Sequence, residues 1–151
     1  MSEHHTSLSW QRDGGPFERG NYKREHQLRF ERGQQLLNSA APGYGGAADA
    51  TDPEELLLAA VSSCHMLTFL ALCANRSYTL DSYADDAVAT LDKNADGKFA
   101  VTHVQLNPRT RFSGDRIPTA AEIVALHERA HANCFIANSV KSTVDVQPQA
   151  D

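Results

Sequence analysis

Cysteine and histidine are the residue types in this chain whose spacing could do chemistry. Cys64, Cys73 and Cys134 are the three cysteines, and the stretch "ALHERAHANCFIANSVKS" carries the last of them three residues after His131. Within that stretch His127-Glu128-Arg129-Ala130-His131 spells H-E-x-x-H. On a helix this spacing puts two imidazoles on one face, one turn apart, as zinc requires. A catalytic zinc also needs a third protein ligand. After His131 there is no His and no Glu, and the only carboxylates are Asp145, Asp151 and the chain terminus. A zinc-dependent hydrolase using His127, Glu128 and His131 is therefore the weakest reading, and no metal or other cofactor is expected. The plain alternative has His127, Glu128 and Arg129 facing solvent or packing locally.

A second apparent metal motif fails for a similar reason. "DKNADGK" sets Asp92, Asn94, Asp96 and Gly97 where a calcium loop has its first, third, fifth and sixth residues, but the twelfth is His103. Calcium needs a bidentate Glu there. The segment reads as a hairpin turn instead, with Asp96-Gly97 at its tip.

That leaves the thiols. Cys73 follows Cys64 by nine residues, about 180° around an ideal helix, so the two cannot face one site. Cys64 and Cys134 are the pair that geometry leaves open, one thiol from each of two helices. Cys73 is assigned to packing.

The helices have clear sequence signals. Asp52 is placed to cap a helix beginning at Pro53, with Glu54 and Glu55 favourable at its positive end. From Leu56 to Ala74 there is no charged residue. Such a run is long enough to span a membrane, but Ser62, Ser63, His65 and Thr68 suit a helix buried on nearly all sides of a core. Thr119 and Glu122 form a capping box that opens a second helix over 120–133. Around these, strands are expected in 6–12, 21–30 and "QQLLNS", in a hairpin over 84–113, and in 142–146. The order β-β-β-α-β-β-α-β describes an α+β domain with antiparallel sheets packed on the helices.

With 151 residues, one domain is expected over 1–151: a β-rich part (1–51), the long helix (52–75), the hairpin (84–113) and a closing helix and strand (119–151). A net charge of −5 argues against nucleic acid or anionic membrane as a partner. No secretory signal is visible at the N-terminus, and three widely spaced cysteines are no disulfide framework, so a cytoplasmic protein is expected.

Two segments resemble the OsmC/Ohr family. "DPEELLLAAVSSCH" is similar to that family's segment that opens N-P-E-x-L-x-x-A and leads to a reactive Cys ten residues after its Glu, here Glu54 and Cys64. "AHANCFIANSV" is similar to A-H-x-x-C-P-x-S-N, with Cys134 as the second cysteine and Asn138 in place. The resemblance implies an intertwined homodimer and a thiol peroxidase acting on organic hydroperoxides, less readily on hydrogen peroxide. It makes Cys64 the peroxidatic thiol and Cys134 the resolving one, joined in a disulfide intermediate. A thiol reductant, whether a lipoylated protein, a thioredoxin-like partner or a small thiol, would restore them. It also implies an arginine from the N-terminal β region, paired with Glu54 and touching the thiolate.

Elementary chemistry agrees with those roles. A thiol near its ordinary pKa of roughly 8.5 is only a few per cent thiolate at neutral pH, and burial lowers that fraction further. Glu54 cannot help directly, since ten helical residues span about 15 Å. An arginine held by the carboxylate would favour the thiolate and hydrogen-bond the peroxide. Arg24 in "NYKREH" fits best, with Arg19 in "FERGN" second. Two departures stand out: His65 follows Cys64 where the family usually has Phe, and Phe135 follows Cys134 in place of Pro. His65 could polarise the pocket or sit hydrogen-bonded in the core. The competing function is a member of the same fold that binds a small apolar ligand, or does other thiol chemistry, without peroxidase activity.

Overall fold

The computed structural model describes residues 1–149 and divides the chain into two compact units, Met1–Leu56 and Leu57–Asp151. In the first, three short strands form an antiparallel sheet in sequence order: β1 (Thr6–Ser9), β2 (His26–Phe30) and β3 (Gln35–Asn38). A 3₁₀ turn at Pro42–Tyr44 and a parallel bridge between Asn38 and Thr51 lead to α1 (Pro53–Asn75). The start of α1 is capped as expected. Glu55 N–H donates to Asp52 Oδ1 at 2.8 Å, and Asp52 N–H donates back to Glu55 Oε2 at 3.3 Å. Two orphan N–H groups at the helix start are thus satisfied reciprocally.

The second unit holds two sheets. β4 (Thr79–Asp85) pairs antiparallel with β7 (Pro108–Ser113), while β5 (Val88–Lys93), β6 (Phe99–Leu106) and β8 (Thr143–Val146) form a mixed sheet in which β6 and β8 run parallel. Helix α2 (Ala120–Asn133) opens with the expected Thr119–Glu122 capping box. The β5–β6 turn is closed by Asn94, whose Oδ1 accepts from Asp96 N–H and Lys98 N–H, each at 3.0 Å. That oxygen serves the turn's own backbone.

Three details correct the sequence reading. β4 is a strand that the sequence did not reveal, because a bulge between Leu80 and Ser82 breaks the alternation that marks a strand. The single long return strand expected after the hairpin is two strands, β6 and β7, in different sheets. At their junction Asn107 N–H leaves the ladder and donates to Asp85 Oδ1 at 2.7 Å. Finally, α1 is buried along one face, not all round. Val61, His65, Phe69 and Cys73 are covered, whereas Leu67 and Leu70 remain 59% and 37% exposed.

The covered face packs in two places. Phe69, Cys73, Tyr78, Leu126 and Ala130 form one apolar cluster, and Val61 joins Val104 and Leu106 in another. The helix is long enough, at a mean hydropathy of 2.0, to suit a membrane span by length and composition. Its contacts with α2 and the sheets are those of a core helix.

Candidate active site

Cys64 and Cys134 meet within the second unit. Cys64 lies mid-way along α1 and is half-buried; Cys134 caps the C-terminus of α2 and is wholly buried. The two are free thiols, near enough for Cys64 to shift the ionisation of Cys134. Burial, then the neighbouring Cys64 thiol, pushes the Cys134 thiol up to about 11, against the opposing backbone N–H of Ala137 at 3.4 Å from its sulfur. Cys134 is therefore a protonated thiol at neutral pH, able to donate to its neighbour.

The turn after α2 is built to hold that sulfur. Asn138 Nδ2 donates to the carbonyls of Ala132 and Cys134 at 3.1 and 3.0 Å, and its own N–H donates to Cys134 O at 3.0 Å. These bonds satisfy carbonyls that a helix end leaves open. Phe135 points away and is 82% exposed. Cys73 sits in the apolar cluster with its thiol pushed up to about 11 by burial, as a packing residue would be.

Histidines give the largest surprise. His65 Nε2 and His127 Nδ1 share a hydrogen bond at 3.0 Å, with ring planes within 3° of each other, and the residues are only 1% and 2% exposed. Phe69, one turn beyond His65, stacks on His127 with centroids 4.1 Å apart. Of the two settings expected for His127, solvent or local packing, the structure shows it packed: it lies buried between His65 and Phe69 of α1. Burial lowers both imidazoles to about 4; a neighbouring imidazole adds to this, His131 beside His65 and His65 beside His127. His65 takes the hydrogen-bonded core role. Among the described residues, no group of three or more His, Cys, Asp or Glu side chains could hold a metal. The Nδ1 of His127 is engaged with His65, and Glu128 is exposed.

Asp85 is another residue that sequence reasoning missed. It accepts from Ser62 Oγ at 2.5 Å and from Asn107 N–H, tying α1 to the junction of β6 and β7. An isolated Asp beside another, in "YADD", gave no signal of this.

Arg24 and Glu54 belong to the first unit. The Arg24 guanidinium lies 4.1 Å from the centroid of the Tyr22 ring, and Nη1 donates to Tyr22 O at 3.0 Å. Gly45, at φ +75°, also lies against it, and a Cβ there would sit 3.4 Å from the guanidinium carbon. His26 fixes the backbone behind it: Nδ1 donates to Arg24 O at 2.8 Å, while Nε2 accepts from Asn38 Nδ2 at 3.1 Å. Arg24 lines a cleft of about 610 Å³ with Leu8, Trp10, Phe17, Tyr22 and Tyr44. Arg19 stands instead at an exposed turn tip, where Glu18 and Asn21 exchange backbone hydrogen bonds. Among the described residues, neither Arg24 nor Glu54 takes part in an ion pair, so the forked pair between them is not formed within this chain. Glu55 is spent on the helix cap; Glu54 is not.

The family model described as OsmC-like protein matches residues 45–149. The chain belongs to the OsmC-like family. An OsmC-like protein of unknown function from Vibrio cholerae is 42% identical, with a TM-score of 0.96, over 99% of this chain and 100% of that one. An organic hydroperoxide resistance protein from Elizabethkingia anophelis shares the fold at 19% identity and a TM-score of 0.73, covering 98% of this chain and 94% of its own. Another from Bacillus subtilis does so at 17% identity and a TM-score of 0.67, over 99% and 98%. No curated protein matches the sequence. In this OsmC-like chain both motif cysteines are neighbours, and the motif's Asn138 hydrogen-bonds the backbone of the second of them.

Proposed function

We propose that this protein is a thiol peroxidase that reduces organic hydroperoxides, and hydrogen peroxide more weakly, in the cytoplasm. The observation that carries the proposal is the meeting of a half-buried Cys64 with a buried, protonated Cys134. Attack of the Cys64 thiolate on the outer peroxide oxygen breaks the O–O bond. It leaves Cys64 as a sulfenic acid, and the alkoxide takes a proton to leave as the alcohol. Cys134 then condenses with the sulfenic acid, forming the disulfide and releasing water. A dithiol reductant, such as a lipoylated or thioredoxin-like protein, or two small thiols, would return both cysteines to thiols.

Arg24 and Glu54 complete the site in a homodimer. Support comes from two side chains without an ion-pair partner among the described residues: an arginine held against Tyr22 and Gly45, and a carboxylate excused from the helix cap by Glu55. The uncovered face of α1, with Ala60, Ser63, Leu67, Leu70 and Ala74 at helical spacing and no charge, supports a second copy of the chain as its cover. The names of the Elizabethkingia and Bacillus proteins agree with the substrate class.

A second reading is favoured by one observation, the aromatic cleft around Arg24, which would suit a small apolar ligand in a protein without peroxidase activity. Thiol-dependent consumption of cumene hydroperoxide, followed by non-reducing peptide mapping, separates the two. Turnover with a Cys64–Cys134 cross-link is the expected result. No turnover with both thiols still free would leave the ligand-binding reading.

A further inference from the structure

Three contacts join α1 to α2 and its C-cap. Cys64 meets Cys134; His65 meets His127 edge to edge at 3.0 Å; Phe69 closes over the His127 face at 4.1 Å. On α2, His127 and Cys134 are seven residues apart, about two turns, so they point in nearly the same direction some 10.5 Å apart. On α1, the residue that holds His127 is the immediate neighbour of Cys64.

A hydrogen bond between two flat rings is directional, unlike a contact between aliphatic side chains. It fixes how far one helix can slide or roll against the other. A disulfide is equally demanding, forming without strain only when Cα atoms lie about 4.4–6.8 Å apart and the Cβ atoms face each other. Apolar packing of the same volume would bury these side chains at lower cost. Here the outer nitrogens, His65 Nδ1 and His127 Nε2, remain buried without a hydrogen-bond partner, each costing about 1–3 kcal/mol. In this chain the two imidazoles are retained at that cost, and the directional bond between them is what the cost maintains.

We infer that the His65–His127 pair is a positioning device for the thiols: it sets the register of α2 on α1 so that Cys134 is presented to Cys64 for disulfide formation. Neither histidine needs to touch substrate. The inference rests on the dithiol reading of the site, and its test is arranged to stand apart from peroxidase activity.

The test is equilibration of the reduced protein with glutathione redox buffers. Two protein thiols give up two electrons and two protons as one glutathione disulfide becomes two glutathiones. The equilibrium constant measures how well the cysteines are juxtaposed, with no peroxide involved. Replacing His65→Phe, which removes the bond but keeps the bulk, is expected to lower that constant at least about tenfold, equivalent to roughly 30 mV. His65→Gln retains a donor for His127 Nδ1 and is expected to recover most of the loss. A folded His65→Phe protein with an unchanged constant would overturn the inference while leaving the peroxidase proposal intact. Failure of the unmodified protein to form the Cys64–Cys134 disulfide would overturn both. Should His65→Phe not fold, ¹⁵N-histidine spectra of the reduced, unmodified protein give a second reading. Coupling across the Nε2–Nδ1 hydrogen bond is expected there, and its absence in folded protein would remove the device.

Discussion

Cys134 lies wholly buried at the end of α2 with the Cys64 thiol as its neighbour, and the two thiols are in unequal surroundings. Cys64 is half-buried on α1, the more exposed of the two. Cys134 is held protonated by burial and fixed in place through Asn138 and Ala137. A peroxide should therefore meet Cys64 first, and Cys134 only after Cys64 has been oxidised.

This asymmetry separates the effects of the two cysteine substitutions. Cys64→Ser is expected to abolish peroxide consumption. Cys134→Ser should keep the first turnover and lose the later ones, accumulating a sulfenic acid at Cys64 that a dimedone probe labels. Mass spectrometry after one equivalent of peroxide checks this. Equal loss of the first turnover in both variants would mean that Cys134 does more than resolve.

Acid should destabilise the fold through the buried histidine pair. Both rings have pKa values lowered from 6.5 to about 4, burial being the first cause, with Asp85 opposing the shift at His65. Tyr83, His131 and Asp85 are the other titratable groups beside them. An unfolded chain binds protons at 6.5 that the folded chain refuses until about 4. The stabilisation is therefore complete above pH 6.5 and lost as pH falls towards 4, on the order of 3 kcal/mol for each ring. Urea midpoints measured from pH 7.5 down to 4.5 should fall, and a His65→Phe/His127→Leu double variant should flatten the slope.

The sequence made the two capped helices and their thiols readable, because caps and an uncharged run are local signals. Thr119 with Glu122 and Asp52 before Pro53 both behave as local chemistry predicts. It did not reveal β4, where a bulge between Leu80 and Ser82 spoils the alternation, nor the switch of sheets at Asn107, which depends on distant Asp85. The sequence left His127 between a solvent-facing and a packed setting for the same reason. Its partner lies 62 positions away on α1, and no local pattern encodes such a pairing.

The uncovered face of α1 makes a prediction about assembly. Leu67 is 59% exposed on a long stripe without charge. Leu67→Glu should shift the protein from dimer to monomer in sedimentation experiments and lower peroxide turnover with it, since a charge in a buried interface goes unpaired. A variant that remains dimeric would place the interface elsewhere. A dimeric variant with intact turnover would also remove the support that this face lends to a shared site.

Gly46 tests whether the loop beside Arg24 serves the reaction. A Cβ at that position would fall 1.5 Å from the Ala40 carbonyl oxygen, a clash with backbone that no rotamer relieves. Gly43, in the same loop, has nothing within 4 Å of the corresponding position. Gly46→Ala should cost about 2 kcal/mol or more, and Gly43→Ala within about 0.5 kcal/mol of nothing. The neighbouring Gly45 packs on the Arg24 guanidinium, so the damaged loop should also loosen that cation. Hydrogen exchange in β2 and β3 and the rate of peroxide attack should then change together in Gly46→Ala. Faster exchange with an unaltered rate would show that Arg24 is not the cation that activates Cys64, and Arg19 would become the residue to replace.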